Sequence, residues 1–270
     1  MSVISVAQRL SVLDPTISKS VKSVAGTMTD AVETLVGAAS CSRLFLDGGS
    51  NMGESVDAFL KGSFYRCAIG SPSRLYGRAW KNASRSEQRR WMQPLSEPKS
   101  WCVRSFDASP GVAARLQSTS SSSSIRFVDA ALGIETSMSS PRTIVRYSNH
   151  TFGTTTGAFS HHDLHLNKPP QLDSWVHRGP SLDVRQIISR YRRSATSIAL
   201  KLDVEGSEFA ILDALAEDPS LLCSIDYLFT EYHNLKFNMT KYGWPEDMYS
   251  RVGNRIHHAM DTVPGCKLRM

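Results

Sequence analysis

The stretch Arg43-Leu44-Phe45-Leu46-Asp47-Gly48-Gly49-Ser50-Asn51-Met52-Gly53 decides the fold class. A short apolar run ends in an acid, three glycines follow, and a helical pattern then carries Val56, Phe59 and Leu60. This is the order strand, glycine-rich turn, helix. Glycines let the backbone turn sharply and approach a ligand closely. The start of the following helix offers N–H groups on which a carboxylate or a phosphate could sit.

The same alternation continues along the chain. Trp101 to Phe106 reads as a second strand, followed by Asp107-Ala108-Ser109-Pro110 and a short helix to Gln117. Ser118 to Ser124 reads as a flexible serine loop. Ile125 to Val128 forms a third strand and runs into Asp129-Ala130-Ala131-Leu132-Gly133. A helix is expected from Ser181, a fourth strand over Ile198 to Leu202 and a helix from Glu205 to Leu215. A fifth strand is expected over Ile225 to Thr230, then a helix over Trp244 to Met260 and a short strand from Cys266. Strands alternating with helices predict an α/β fold with a mostly parallel central sheet and helices on both faces.

Two segments interrupt this alternation. Residues 66 to 99 hold eight Lys/Arg against two acids, an excess equal to the +6 of the whole chain. The remainder is therefore balanced, which argues for a local basic insertion and against nucleic-acid binding by the core. Its Trp80 and Trp91, with Trp101 beyond, read as anchors of a solvated excursion. Residues 140 to 180 are polar, rich in Thr, His and Pro, with one strand expected over Thr143 to Tyr147. His161-His162-x-x-His165 lies there beside Pro169 and Pro170, with no helix pattern to aim the side chains at a metal. Residues 1 to 40, with spaced Val21, Val24, Met28, Val32 and Val36, predict an N-terminal helical extension ahead of a 41–270 domain.

No stretch approaches the ~20 apolar residues of a membrane span, and Gln8, Arg9 and Asp14 break the apolar N-terminus. Five scattered cysteines without C-x-x-C argue against a disulfide framework or structural zinc, and predict a reducing, cytoplasmic setting. In that setting the sequons at Asn82, Asn149 and Asn238 are chance occurrences.

Chemistry-bearing residues gather at predicted strand ends. Asp107 could accept hydrogen bonds from ribose hydroxyls, or cap the helix that follows. Leu200-Lys201-Leu202-Asp203-Val204-Glu205-Gly206-Ser207-Glu208 delivers Asp203 to the carboxyl edge, where open α/β folds place ligands. Glu205 would favour the dipole of the next helix. Glu231 and His233, two apart, share one side of an extended chain and could provide a base or bind a metal.

Taken in order, these motifs resemble the FkbM-type methyltransferases. D-x-G-x-N-x-G is matched by Asp47, Gly49, Asn51 and Gly53. An acid ahead of a proline is matched by Asp107 and Pro110, although Glu is more usual. Ala-Leu-Gly is matched by Ala131 to Gly133, K-[IL]-D-V-E-G-[AS]-E by Lys201 to Glu208, and the acid–histidine pair by Glu231 and His233. The resemblance implies a Rossmann-like class I fold and S-adenosylmethionine held by Asp47, Gly49, Ser50, Asn51, Gly53, Asp107, Asp129 and Ala130. It also implies O-methylation of a sugar, glycolipid or natural product, with His233, Asp203 and Glu231 as catalytic residues. A divalent metal on those three is an alternative route. The resemblance further implies one more strand and an acidic segment beyond Met270, and a shorter link between the first two strands. Two rival functions remain on the sequence. An NAD(P)-dependent oxidoreductase would normally carry G-x-G-x-x-G and a Tyr-x-x-x-Lys pair, both missing. A non-catalytic interaction module would keep the fold and work through its basic insertion.

Overall fold

A computed structural model describes residues 32–37, 41–50, 52–61, 84–85, 100–147, 150–155, 173–204, 207–230 and 246–270. The chain divides into two units, Met1–Ala38 and Ala39–Met270. In the first, residues 32–36 are helical. The other expected N-terminal helical positions lie outside the described residues, as does the basic insertion apart from Ser84 and Arg85.

In the second unit the apolar runs become strands, because parallel strands buried on both faces need apolar residues at successive positions. β1 (Arg43–Gly48), β2 (Cys102–Asp107), β3 (Ile125–Asp129), β8 (Ser197–Leu202) and β9 (Tyr227–Thr230) form one all-parallel sheet in the order β3-β2-β1-β8-β9. Along β1, Leu44, Phe45 and Leu46 are all fully buried, so both faces of the strand are covered. On the face that carries Phe45, Val103, Ala199 and Phe229, helix α1 (Glu54–Leu60) inserts Val56, Ala58 and Phe59. Phe59 stacks on Phe45 at 4.1 Å and meets Trp101 edge-on at 5.6 Å.

The helices after the first are α2 (Val112–Thr119), α3 (Val184–Tyr191), α4 (Glu208–Ala216), α5 (Pro219–Leu222) and α6 (Met248–Thr262). Helix α4 begins at Glu208 rather than Glu205 and α6 at Met248 rather than Trp244, and three other departures have a local cause. Helix α2 runs two residues into the serine tract, and the rest of that tract is organised by the Ser122–Ser124 hydroxyl pair and by Val103 N–H donating to the Ser124 carbonyl. Helix α3 starts at Val184 rather than Ser181, because the Asp183 carboxylate accepts the Arg185 N–H as an N-cap. Helix α5 went unread. It is started by Asp218, which accepts the Leu221 N–H, and by Pro219 in the first turn.

The polar segment from residue 140 is where expectation and structure differ most. It contributes to a second sheet, ordered β4-β7-β5-β6, made of β4 (Ala131–Gly133), β5 (Ser137–Tyr147), β6 (His150–Thr155) and β7 (Asp173–Asp183). β5 pairs antiparallel with both β6 and β7, while β4 runs parallel to the last three residues of β7. The residues expected to open a helix at Ser181 are thus strand. The chain end adds no full strand to the first sheet. Arg269 makes a single parallel bridge to Tyr227, through its N–H to the Asp226 carbonyl and its carbonyl from the Leu228 N–H.

The cysteine reading is overturned. Cys41–Cys102 and Cys223–Cys266 are disulfides, with Cα–Cα distances of 5.8 and 4.9 Å. They join residues 61 and 43 apart, pairings that only the fold brings together. The first ties the segment entering β1 to the start of β2; the second ties the end of α5 to the C-terminal segment. No helix among the described residues is long and apolar enough to cross a membrane.

Candidate functional site

The strand registers set one level across the sheet. Thr230, Leu202, Gly48, Phe106 and Val128 lie side by side. One residue further on come Asp203, Gly49, Asp107 and Asp129, the last two paired with each other. Four residues singled out in sequence therefore form one row at the carboxyl ends of β8, β1, β2 and β3. The strand order also reverses at β1, since β2 and β3 lie to one side and β8 and β9 to the other. Open α/β sheets bind ligands outside the carboxyl ends at such a switch point.

The glycine turn is bound tightly into its surroundings. Gly49 has φ +87°, and a Cβ there would overlap the backbone carbonyl of Asp203. Neighbouring strands supply the remaining bonds. The N–H groups of Gly49 and Ser50 both donate to the Phe106 carbonyl, at 2.9 and 3.0 Å, and Asp203 N–H donates to the Gly48 carbonyl at 3.1 Å. Gly53, also at φ +87°, is the N-cap of α1, and a Cβ there would press on Leu116 at 3.1 Å. Met52 N–H donates to the Glu54 carboxylate at 3.0 Å. Within the turn itself, the main-chain donors of Gly49, Ser50 and Met52 are already used.

Beneath the turn lies a buried polar cluster. The Asp47 side chain is fully buried; its Oδ2 accepts from Ser55 Oγ at 2.8 Å and Ser105 Oγ at 2.6 Å. Ser105 spends its one hydroxyl proton on Asp47, so in the 2.6 Å contact between the two serines Ser50 is the donor. Lys201 completes the cluster. Its ammonium lies 3.2 Å from Asp47 Oδ1 and 3.4 Å from Asp203 Oδ2, and it donates to the Gly49 carbonyl at 2.9 Å. The Asp47 Oδ1 contact is an ion pair without hydrogen-bond alignment. Burial works against the Lys201 charge, but Asp47 and then Asp203 outweigh it and raise the pKa above the usual lysine value. Asp47 and Ser50, expected at the ligand, are thus turned under the turn and hold it from below.

Lys201, Ser55 and Ser105 went unnoticed as site-building residues. A signal existed for Lys201, since a charge inside Ile198 to Leu202, a strand buried on both faces, needs a partner of opposite sign. The serines gave no such signal.

Asp107 resolves its two readings in part. Gly111, at φ +78°, is the N-cap of α2, so Asp107 is not the cap. Its Oδ1 instead accepts the Ser109 N–H at 2.8 Å, a local turn that fixes the carboxylate at the sheet edge. Asp129 is exposed and Ala130 fully buried. The Asp203 side chain is about one-third exposed, at 31%. Asn51, Glu205, Glu231, His233 and the histidines at 161, 162 and 165 lie outside the described residues. β9 ends at Thr230, opposite Leu202, immediately before Glu231. No group of three His, Cys, Asp or Glu side chains among the described residues could hold a metal.

Compared with protein-family models, curated proteins and solved structures, the chain matches none of them.

Proposed function

We propose that the carboxyl edge of the parallel sheet binds S-adenosylmethionine and that the protein is an O-methyltransferase. The observation that carries this reading is the row Asp203, Gly49, Asp107 and Asp129 at the strand-order reversal. Carboxylates suit a ligand made of hydroxyls and positive charge: a ribose diol, an ammonium and a sulfonium. The same row suits a dinucleotide poorly. Of the main-chain N–H groups in the glycine turn that a pyrophosphate would approach, those of Gly49, Ser50 and Met52 are already bonded. Three carboxylates beside it would also repel phosphate. This favours the methyl donor over NAD(P).

The donor, when bound, supplies an electrophilic methyl group. The chain's part is placement and proton removal. Asp107, anchored by Ser109, and Asp129 would take the ribose end. Asn51 and Gly53 belong to the same turn in the motif that suggests this ligand. Asp203 would face the amino-acid and sulfonium end. Alignment of acceptor hydroxyl and methyl then supplies much of the acceleration. The hydroxyl must lose its proton, and His233 is the best-suited base because its ordinary pKa is about 6.5. Glu231 would orient it, and a divalent ion on Asp203, Glu231 and His233 is the alternative. The acceptor is a hydroxyl on a sugar, glycolipid or other natural product. The two disulfides favour an oxidising setting over the cytoplasm for the folded chain.

Binding calorimetry with S-adenosylhomocysteine, and with NADH as the control, tests this reading. Saturable binding of the first and none of the second is expected. No heat from S-adenosylhomocysteine at millimolar concentration would overturn it.

A further inference from the structure

The buried ammonium of Lys201 touches both sides of the strand-order reversal. It donates to the Gly49 carbonyl on the β1 side at 2.9 Å and lies 3.4 Å from the Asp203 carboxylate on the β8 side. Its third contact, Asp47 Oδ1 at 3.2 Å, is fully buried. An ammonium gathers several oxygens around one point, and a buried one holds its charge only while those oxygens stay in place. Asp107 lies two strands away from it and Asp129 three.

We propose that Lys201 is a positioning residue that fixes the Gly49 turn and the Asp203 carboxylate as one unit, and so sets affinity for the amino-acid and sulfonium end of the ligand while leaving its nucleoside end untouched. This rests on the methyl-donor reading above. Lys201 need not touch the ligand. With the ammonium gone, the Gly49 carbonyl loses this donor and the Asp203 carboxylate loses this cation. The β2 and β3 ends keep their own supports, since the Asp107 turn closes locally on Ser109.

The experiment compares two ligands on three proteins. S-adenosylhomocysteine spans both ends, whereas adenosine has only the nucleoside end. Their dissociation constants are measured by calorimetry on the wild type, Lys201→Met and Lys201→Arg, each checked for folding by thermal melt. Lys201→Met is expected to weaken S-adenosylhomocysteine roughly tenfold or more, as loss of a charged contact does, and to leave adenosine unchanged. Lys201→Arg keeps the charge but not the compact geometry, and is expected to restore part of the lost affinity. Equal weakening of both ligands in a folded variant overturns the proposal, as does unchanged S-adenosylhomocysteine affinity. So does failure of both variants to fold, since Lys201 would then serve stability alone. A wild type that binds neither ligand counts against the methyl-donor reading itself. A wild type that binds both, with variants losing both alike, counts against Lys201 only.

Discussion

The α-carbon of Gly49 packs against the backbone carbonyl of Asp203, so closely that any Cβ at position 49 would overlap it. The contact joins β1 to β8 at the point where the strand order reverses. It makes Gly49 a joint of the fold as well as a lining of the candidate site. A side chain at position 49 would therefore disturb the fold as well as the site.

Gly49→Ala is therefore expected to destabilise the protein by about 2 kcal/mol or more, from the positive φ and the displaced β8 carbonyl together. Denaturant titration should show a lower midpoint, accompanied by loss of S-adenosylhomocysteine binding. An unchanged midpoint would mean that the β1–β8 joint is looser than described.

Lys201 gives a pH signature. Its folded pKa is raised, so its contribution is fully present below the unfolded value of about 10.4. The contribution is lost as pH rises through the higher folded value. Lys201→Met should lose about 3–5 kcal/mol near neutrality, because it leaves the buried Asp47 without its cation. The gap between wild type and variant, followed by urea unfolding, should stay level from pH 7 to pH 10 and narrow only above that. A gap that closes below pH 9 would contradict the assignment.

How much of this was legible in the sequence depended on distance along the chain. β1, β2 and β8 stood out because strands buried on both faces are continuous apolar runs, and Leu44 to Leu46 and Ile198 to Leu202 read that way at once. Of β5 only Thr143 to Tyr147 did, and β6 and β7 did not, because Thr, His and Pro give that segment a loop-like composition and its pairing partners are remote. The row of Asp203, Gly49, Asp107 and Asp129 was legible residue by residue, each following an apolar run. That Asp47 and Ser50 point downward was not, since it depends on Ser105 and Lys201 from other strands. The disulfides were hidden for the same reason: spacings of 61 and 43 residues carry no local pattern.

Those disulfides make a separate prediction. Four of the five cysteines should resist alkylation until a reductant is added. Opening each loop should cost at most about 4 kcal/mol by the loop-entropy rule, seen as a lower midpoint in denaturant under reducing conditions. Alkylation of all five cysteines in the untreated, folded protein would show the pairs to be open.

Asp107→Asn should keep the local turn, because the amide oxygen can still accept the Ser109 N–H. It should weaken both adenosine and S-adenosylhomocysteine by roughly tenfold, the loss expected when a hydrogen bond to a charged group becomes neutral. Calorimetry on the folded variant measures this. Loss of S-adenosylhomocysteine affinity alone would place the nucleoside elsewhere.

Phe59→Ala tests how the turn is held from above. Phe59 is buried between Phe45 and Trp101, so its truncation should cost about 3–5 kcal/mol. Chemical denaturation would measure the loss, and a value below about 1 kcal/mol would show that α1 is not anchored there.

Ligand binding at the carboxyl edge of the sheet is tested by hydrogen–deuterium exchange of the wild-type protein with and without S-adenosylhomocysteine. Slower exchange is expected in the segments around Gly49 to Gly53, Asp107 to Val112, and Asp129 to Ala131, with α6 unaffected. No protection at saturating ligand, or protection confined to α6 or to the β5–β6 hairpin, would contradict it.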